Sequence, residues 1–460
     1  MKIKILFLLV SFIMSAVGAA MSPGYSVFFL LVFLEQFFLL AFSAIEKEDV
    51  FPGVGTLLYF VNFLSVSLRS FFLVGADVNN IDNVYISNIQ YESYFYAVTI
   101  CSMGAFFIFL GGLAYHGIYS RKINLNSLEA LEPIFSIAAY RVAACLVVIV
   151  LPVVVMQSEN PLSFSSKRVF ISEDGDVTRF GLNRFLLNCL VCYFMAYIFY
   201  VFYQERKIKP ILIPVVIVAL ISVVVSLRTY LVFVFFPLFV YYTRKVSPKS
   251  FFFGAIAFSL VILLTSYTTH ARKTVNSADE WRVSESVLSF FEALSFSGNY
   301  GGIVSTAIST HAVKNNVPTY WGETMFLTPL LQFVPRSLYK SKPEELGGEL
   351  RKIQQLSGIM PKNIEGGVPP GFFAEFWLNY RLPGVVVFSF LFGFSVCLIS
   401  SSVNKVKGAV AAPLWAFTGL VLVLYGFGGH TARVVMTFFQ LGVILVALYT
   451  LLLLWKKALR

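Results

Sequence analysis

The chain has 460 residues, of which 58% are hydrophobic, 17% aromatic and only 13% charged, with a mean hydropathy of +0.78. An apolar share this high excludes an ordinary soluble domain and puts the chain among integral membrane proteins. The net charge of +11 does not indicate nucleic acid, because the basic residues sit in short clusters between apolar runs, where they set topology.

A hydrocarbon core about 30 Å thick takes about 20 apolar helical residues to cross, because lipid offers no partner to an unpaired backbone group. On that ruler the sequence predicts an all-α polytopic protein of about twelve spans. They start near Ile5, Ser26, Val54, Tyr94, Phe135, Arg184, Ile211, Tyr230, Phe251, Pro383, Val410 and Val434. The first, with Lys2 and Lys4 ahead of it, also has the look of a secretory signal peptide. It is read as a retained helix because the basic-residue count works with it in place.

Alternate short connections are basic: Lys2 and Lys4, Lys47, Arg121 and Lys122, Arg206 to Lys209, Arg244 to Lys249, Lys405 and Lys407, and Lys456 to Arg460. Residues 75–93, in the opposite phase, hold Asp77, Asp82 and Glu92 and no Lys or Arg. Both termini are therefore expected in the cytoplasm. A mid-sized outward loop, residues 157–183, lies within spans 1–9 (residues 1–267), and a large outward one, residues 268–382, separates these from spans 10–12 (residues 383–460). Neither matched halves nor paired interrupted segments are evident, which argues against a carrier built from repeats.

The large loop has internal order. Ser277 opens a segment in which Val283, Val287, Phe290, Phe291 and Leu294 recur at helical spacing, an amphipathic surface helix. Ser341-Lys342-Pro343-Glu344 reads as a capping box, Gly358 as a stop, and Gly298, Gly301, Gly302, Gly366, Gly367 and Gly371 as turns. The loop is thus expected to fold as a cap.

All five cysteines, Cys101, Cys145, Cys189, Cys192 and Cys397, lie in apolar segments, so no disulfide framework is implied. Asp174-Gly175-Asp176 resembles a metal-nucleotide motif, but nucleotide sugars are cytoplasmic and this loop faces outward, so it reads as an acidic turn. His116, His270 and His311 are scattered and no His pair has ligand spacing, so no catalytic metal is expected. Arg69 and Arg141 fall within apolar runs and are expected to snorkel to the headgroups. Arg228 and Arg433, in short outward turns that converge on the face with the large loop, are read as functional.

Several short runs carry a family resemblance. They are Val334-Pro335-Arg336-Ser337-Leu338 with Lys342-Pro343, Glu375 followed by Asn379-Tyr380-Arg381-Leu382-Pro383-Gly384, and Arg228 in its short turn. With the span count and the two outward loops, the sequence resembles the Wzy-type polymerases, which join lipid-linked oligosaccharide repeat units into O-antigen or a related surface glycan. An Arg-x10-Gly pattern associated with some members is met by Arg336 and Gly347.

The resemblance implies a growing glycan on undecaprenyl diphosphate as donor and a single repeat unit on the same lipid as acceptor. The acceptor's hydroxyl attacks the anomeric carbon, with inversion, and diphosphate-lipid leaves. Arginines are suited to that charge, so Arg336, Arg228 and Arg433, with Arg272 and Lys342 in support, are the expected diphosphate site. Glu375 is the first choice of base, followed by Glu323 and His430. No cofactor is implied. The partners implied are membrane lipids, a chain-length regulator and a flippase. A glycan ligase of similar architecture, and a lipid-linked oligosaccharide flippase, are the competing readings.

Overall fold

The computed structural model describes residues 2–46, 53–71, 91–118, 126–156, 179–205, 209–224, 302–314, 317–331, 334, 338–339, 370–403 and 410–458. Among them the protein is entirely helical, with eight helices long and apolar enough to cross a membrane. The helices are α1 (Lys2–Met21), α2 (Ser26–Ile45), α3 (Val54–Asn62, continued by a π-turn Phe63–Leu68), α4 (Tyr91–Ile118), α5 (Ile137–Met156) and α6 (Arg179–Glu205). There follow α7 (Leu212–Val224), α8 (Gly302–Lys314), α9 (Gly371–Val403), α10 (Ala411–Gly428) and α11 (Thr431–Ala458). The expected spans near Tyr230 and Phe251, the helix after Ser277 and the capping box at Ser341 lie outside the described residues.

Burial sorts the spans. Helices α3 and α6 are the most enclosed, and Tyr193, Phe194, Phe199 and Phe202 of α6 form one apolar core with α5, α7, α10 and α11. A second core joins α2, α3, α4 and α9. Helices α1 and α5 are peripheral and leave Leu6, Leu9, Phe12, Val148 and Ile149 bare, as suits a surface whose solvent is hydrocarbon.

Helix α9 is two helices, and its break organises this half of the bundle. Arg381 leaves the helical region (φ 56, ψ −144), just where Leu382-Pro383-Gly384 would lead one to expect it. Pro383 cannot donate to the preceding turn and biases Leu382 away from helical backbone. The chain reverses there. Phe372 packs on Phe392 (5.2 Å between ring centroids), Phe376 on Phe388 (5.4 Å) and Tyr380 on Phe388 (5.5 Å), the pattern of an antiparallel hairpin. Residues 382–403 then run parallel to α4, with Tyr115 against Phe394 and bonded to Ser401. Their backbones touch: a Cβ on Gly111 would run into the Phe390 carbonyl, and one on Gly393 into the Ile108 carbonyl.

Residues 371–380 therefore begin inside the bundle, where Phe373 lies on Gly104 in the middle of α4, and climb to the end that carries Tyr91. Helix α8 does the same. Its Lys314 pairs with Glu92 (2.6 Å) and its Thr310 hydroxyl donates to the Ser93 carbonyl (3.0 Å), while Thr306 meets Cys101 and Gly302 presses on Ser65. At thirteen residues α8 is about 20 Å long, too short to cross a hydrocarbon core about 30 Å thick. Ten of its residues, Ile303 to Thr310 among them, are buried. The expected cap over residues 268–382 thus does not hold these two segments outside the bundle. They are packed into it as half-helices, and the span read as starting at Pro383 is the second arm of α9, after the break at Arg381.

Arg141 is exposed, whereas Arg69 is fully buried. The expectation that Arg69 snorkels is corrected, because the π-turn ahead of it directs it inward, where its charge bears on Tyr94.

The α4–α9 contact yields a test. Gly111→Leu and Gly393→Leu should each lower thermal stability in detergent by more than the 1–3 kcal/mol or so typical of overpacking, since backbone cannot move aside. Gly117→Ala, with nothing within 4 Å of its Cβ, should leave the melting temperature unchanged or slightly raised.

Candidate active site

Three segments meet where the half-helix 371–380 passes the α10–α11 turn. Gly371 donates its N–H to the Gly429 carbonyl (2.8 Å), which seats the start of α9 on that turn. One turn on, Glu375 is fully buried. Its Oε2 accepts both the backbone N–H (2.8 Å) and the hydroxyl (2.7 Å) of Thr431, the first residue of α11. The orphan donors and positive end of a helix N-terminus favour a carboxylate there. The Thr324 hydroxyl and the His430 imidazole also act on the carboxyl. His430 itself is buried.

One further turn along the half-helix, Asn379 ties in the third segment. Its amide Nδ2 donates to the Glu375 carbonyl (2.8 Å) and the Thr324 hydroxyl (2.6 Å), and its Oδ1 accepts the Gly322 N–H (3.0 Å). Its backbone carbonyl accepts the Trp321 N–H (3.1 Å), and the Leu378 carbonyl that of Tyr320 (3.2 Å). Residues 317–322 are thereby clamped across the break in α9, and Arg381 closes the clamp by donating Nη2 to the Val317 carbonyl (2.9 Å).

The clamp holds strained backbone. Trp321 (φ 50) and Arg381 (φ 56) are the non-glycine residues of positive φ among the described residues, and Gly322 (φ 86) lies beside Trp321. Gly322 has to be glycine twice over, since a Cβ would also meet the Tyr380 hydroxyl. Glu323, half-buried, then opens a π-turn, Glu323–Leu327. Strained residues and π-turns gather at functional sites.

Of the residues singled out from the sequence, Glu375, His430, Glu323 and Arg433 are brought to this one place. Arg433 is exposed on the first turn of α11. Arg336, Arg228, Arg272 and Lys342 lie outside the described residues. Asn379 carries no assigned role in the sequence reading and Thr324 none either, yet their side chains hold the site together.

A second buried polar group was missed. Glu35, midway along α2, is fully enclosed beside Asn62 and near Cys101. The signal available was a lone carboxylate at the centre of an apolar run. Among the described residues no three His, Cys, Asp or Glu side chains are grouped to hold a metal ion.

The chain matches the family model described as O-antigen polysaccharide polymerase Wzy over residues 1–457. No curated protein and no solved structure matches it. The match spans essentially the whole chain rather than one motif, and the protein belongs to the O-antigen polysaccharide polymerase Wzy family.

Proposed function

We propose that this protein extends a surface glycan on the outward face of the inner membrane. A sugar hydroxyl of one undecaprenyl-diphosphate-linked repeat unit displaces the diphosphate-lipid from the end of another, in a single inverting step. The full-length family match carries this reading, because members act on lipid-linked oligosaccharide repeat units. Twelve spans with both termini in the cytoplasm would put the Tyr91 end of α4, and with it the Lys314–Glu92 pair and the Trp321 turn, on the outward side.

The chemistry asks for a cation at the leaving diphosphate and an acceptor for the hydroxyl proton. Arg433, exposed on α11, takes the first role together with Arg336, Arg228, Arg272 and Lys342, as positioned guanidinium groups stabilise charge that grows as the bond breaks. The second role divides between the carboxylates. A base must come within hydrogen-bond reach of its proton. Glu323 is half-buried and open to a substrate, whereas Glu375 is enclosed and spends one oxygen on Thr431. Glu323 is therefore the preferred base. Glu375 acts by fixing the turn His430 to Arg433, with His430 packed against it.

Purified protein supplied with lipid-linked repeat units should build a ladder of products. Transfer to lipid A core would make it a ligase, and movement of the lipid without bond formation a flippase.

The division of roles predicts opposite outcomes for two isosteric changes. Glu323→Gln should cut turnover on the order of a hundredfold or more, as loss of a general base does, with protein levels unchanged. Glu375→Gln keeps an oxygen to accept from Thr431 and should retain most activity, while Glu375→Ala should lower the melting temperature. A Glu375→Gln protein that folds normally but is as inactive as Glu323→Gln would return the base to Glu375.

Arg336→Lys should lose much of the activity although the charge is kept, because an ammonium lacks the planar fork, and Arg336→Ala should lose more. For orientation, reporter fusions at Lys167 and Lys314 should read outside, and those at Lys207, Lys249 and Lys405 inside. A cytoplasmic signal at Lys314 would overturn the outward placement of the site.

A further inference from the structure

Trp321 is the largest aromatic side chain left bare at the rim of the site, with 76% of its surface exposed. Its backbone is held in the left-handed region (φ 50), where a bulky side chain stays only if its surroundings impose it. Those surroundings are its N–H bond to the Asn379 carbonyl, the tie from Gly322 to Asn379 Oδ1, and the ring of Tyr380, which meets the indole edge-on at 6.3 Å and 81°. The indole is thus braced along one edge and open elsewhere. It stands two residues from Glu323, at the end of the bundle marked by the exposed Lys314–Glu92 pair. A tryptophan that merely anchors a protein at a membrane surface does not need a strained backbone.

Resting on the polymerase reading above, we infer that Trp321 is a stacking platform for a pyranose ring of the lipid-linked repeat unit. The C–H bonds of a sugar's apolar face are weakly positive and match the negative face of an indole, so stacking adds to the area buried. The hydroxyls around the ring's edge stay free for polar groups such as Glu323. The clamp from Asn379 and Tyr380 sets the angle of the platform before the substrate arrives, which reduces the ordering cost of binding.

Three variants, purified at matched levels, test this. Trp321→Phe keeps an aromatic face, Trp321→Leu keeps apolar bulk without one, and Trp321→Gly relieves the left-handed backbone while removing the ring. Trp321→Leu should raise KM for the lipid-linked repeat unit about tenfold, the effect of about 1.4 kcal/mol, with kcat nearly unchanged. Trp321→Phe should restore most of that loss. Trp321→Gly should bind as poorly as Trp321→Leu yet melt at or above the wild-type temperature. Equal KM for Trp321→Leu and wild type, or equal impairment of Trp321→Phe and Trp321→Leu, would overturn the platform.

An independent readout is the change in tryptophan emission on adding the lipid-free repeat-unit oligosaccharide released from the cell's own glycan. It should be large in wild type and absent in Trp321→Phe, and an equal response in both overturns the inference. A Trp321-dependent response in a protein that forms no ladder would sink the polymerase reading and leave the platform standing. Ladders without that response would do the reverse.

Discussion

Everything near the site depends on the amide of Asn379. It is fully buried, and one side chain satisfies three polar groups from two segments: the Gly322 N–H, the Thr324 hydroxyl and the Glu375 carbonyl. Leaving such partners buried and unpaired costs about 1–3 kcal/mol each, whereas each completed bond contributes about 1 kcal/mol net. The network therefore acts less as glue than as a specification, since one arrangement satisfies all its members. Trp321 and Arg381 each carry backbone strain of about 1–3 kcal/mol, and it is this arrangement that imposes it.

The second constraint is the absence of water as a partner in the bilayer. Irregular backbone at membrane depth persists where protein encloses it. Both half-helices follow that rule. Helix α8 is wrapped by α4 and the α3 π-turn, and residues 371–380 by α4 and the second arm of their own hairpin. Half-helices that begin inside a bundle aim their N-termini at its interior, where fixed dipoles and a low dielectric make each charge count. The α10–α11 turn likewise lies beside the inner end of such a half-helix, and Glu375 is the anion that meets the start of α11. Enclosure that holds Glu375 in place also keeps it from bulk water, and this separates it from the half-buried Glu323 and the exposed Arg433 nearby.

Glycan polymerisation between two lipid carriers suits such a construction. Its substrates are lipid-linked repeat units, which join an apolar carrier to polar sugars. On the proposed reading, the exposed Arg433 would serve the diphosphate and the half-buried Glu323 the hydroxyl.

Membership of the membrane class, and spans such as α2, α4 and α6, were determined by the sequence alone, because twenty apolar residues in a row have no other stable solution. The span start at Pro383 was legible too, since Leu382-Pro383-Gly384 cannot continue a helix unchanged, but the half-helix ahead of it was not. Helix α8 was not legible. Ser305, Thr306, Ser309 and Thr310 make it read as an external segment, but Thr306, Ser309 and Thr310 return their hydroxyls to carbonyls of the preceding turn, and that self-satisfaction lets a polar sequence be buried. The roles within the site were decided by tertiary structure for a similar reason. Glu323 and Glu375 are the same residue type in the same loop by sequence, and only packing against Thr431 and Asn379 makes one an enclosed anchor and the other an open carboxylate.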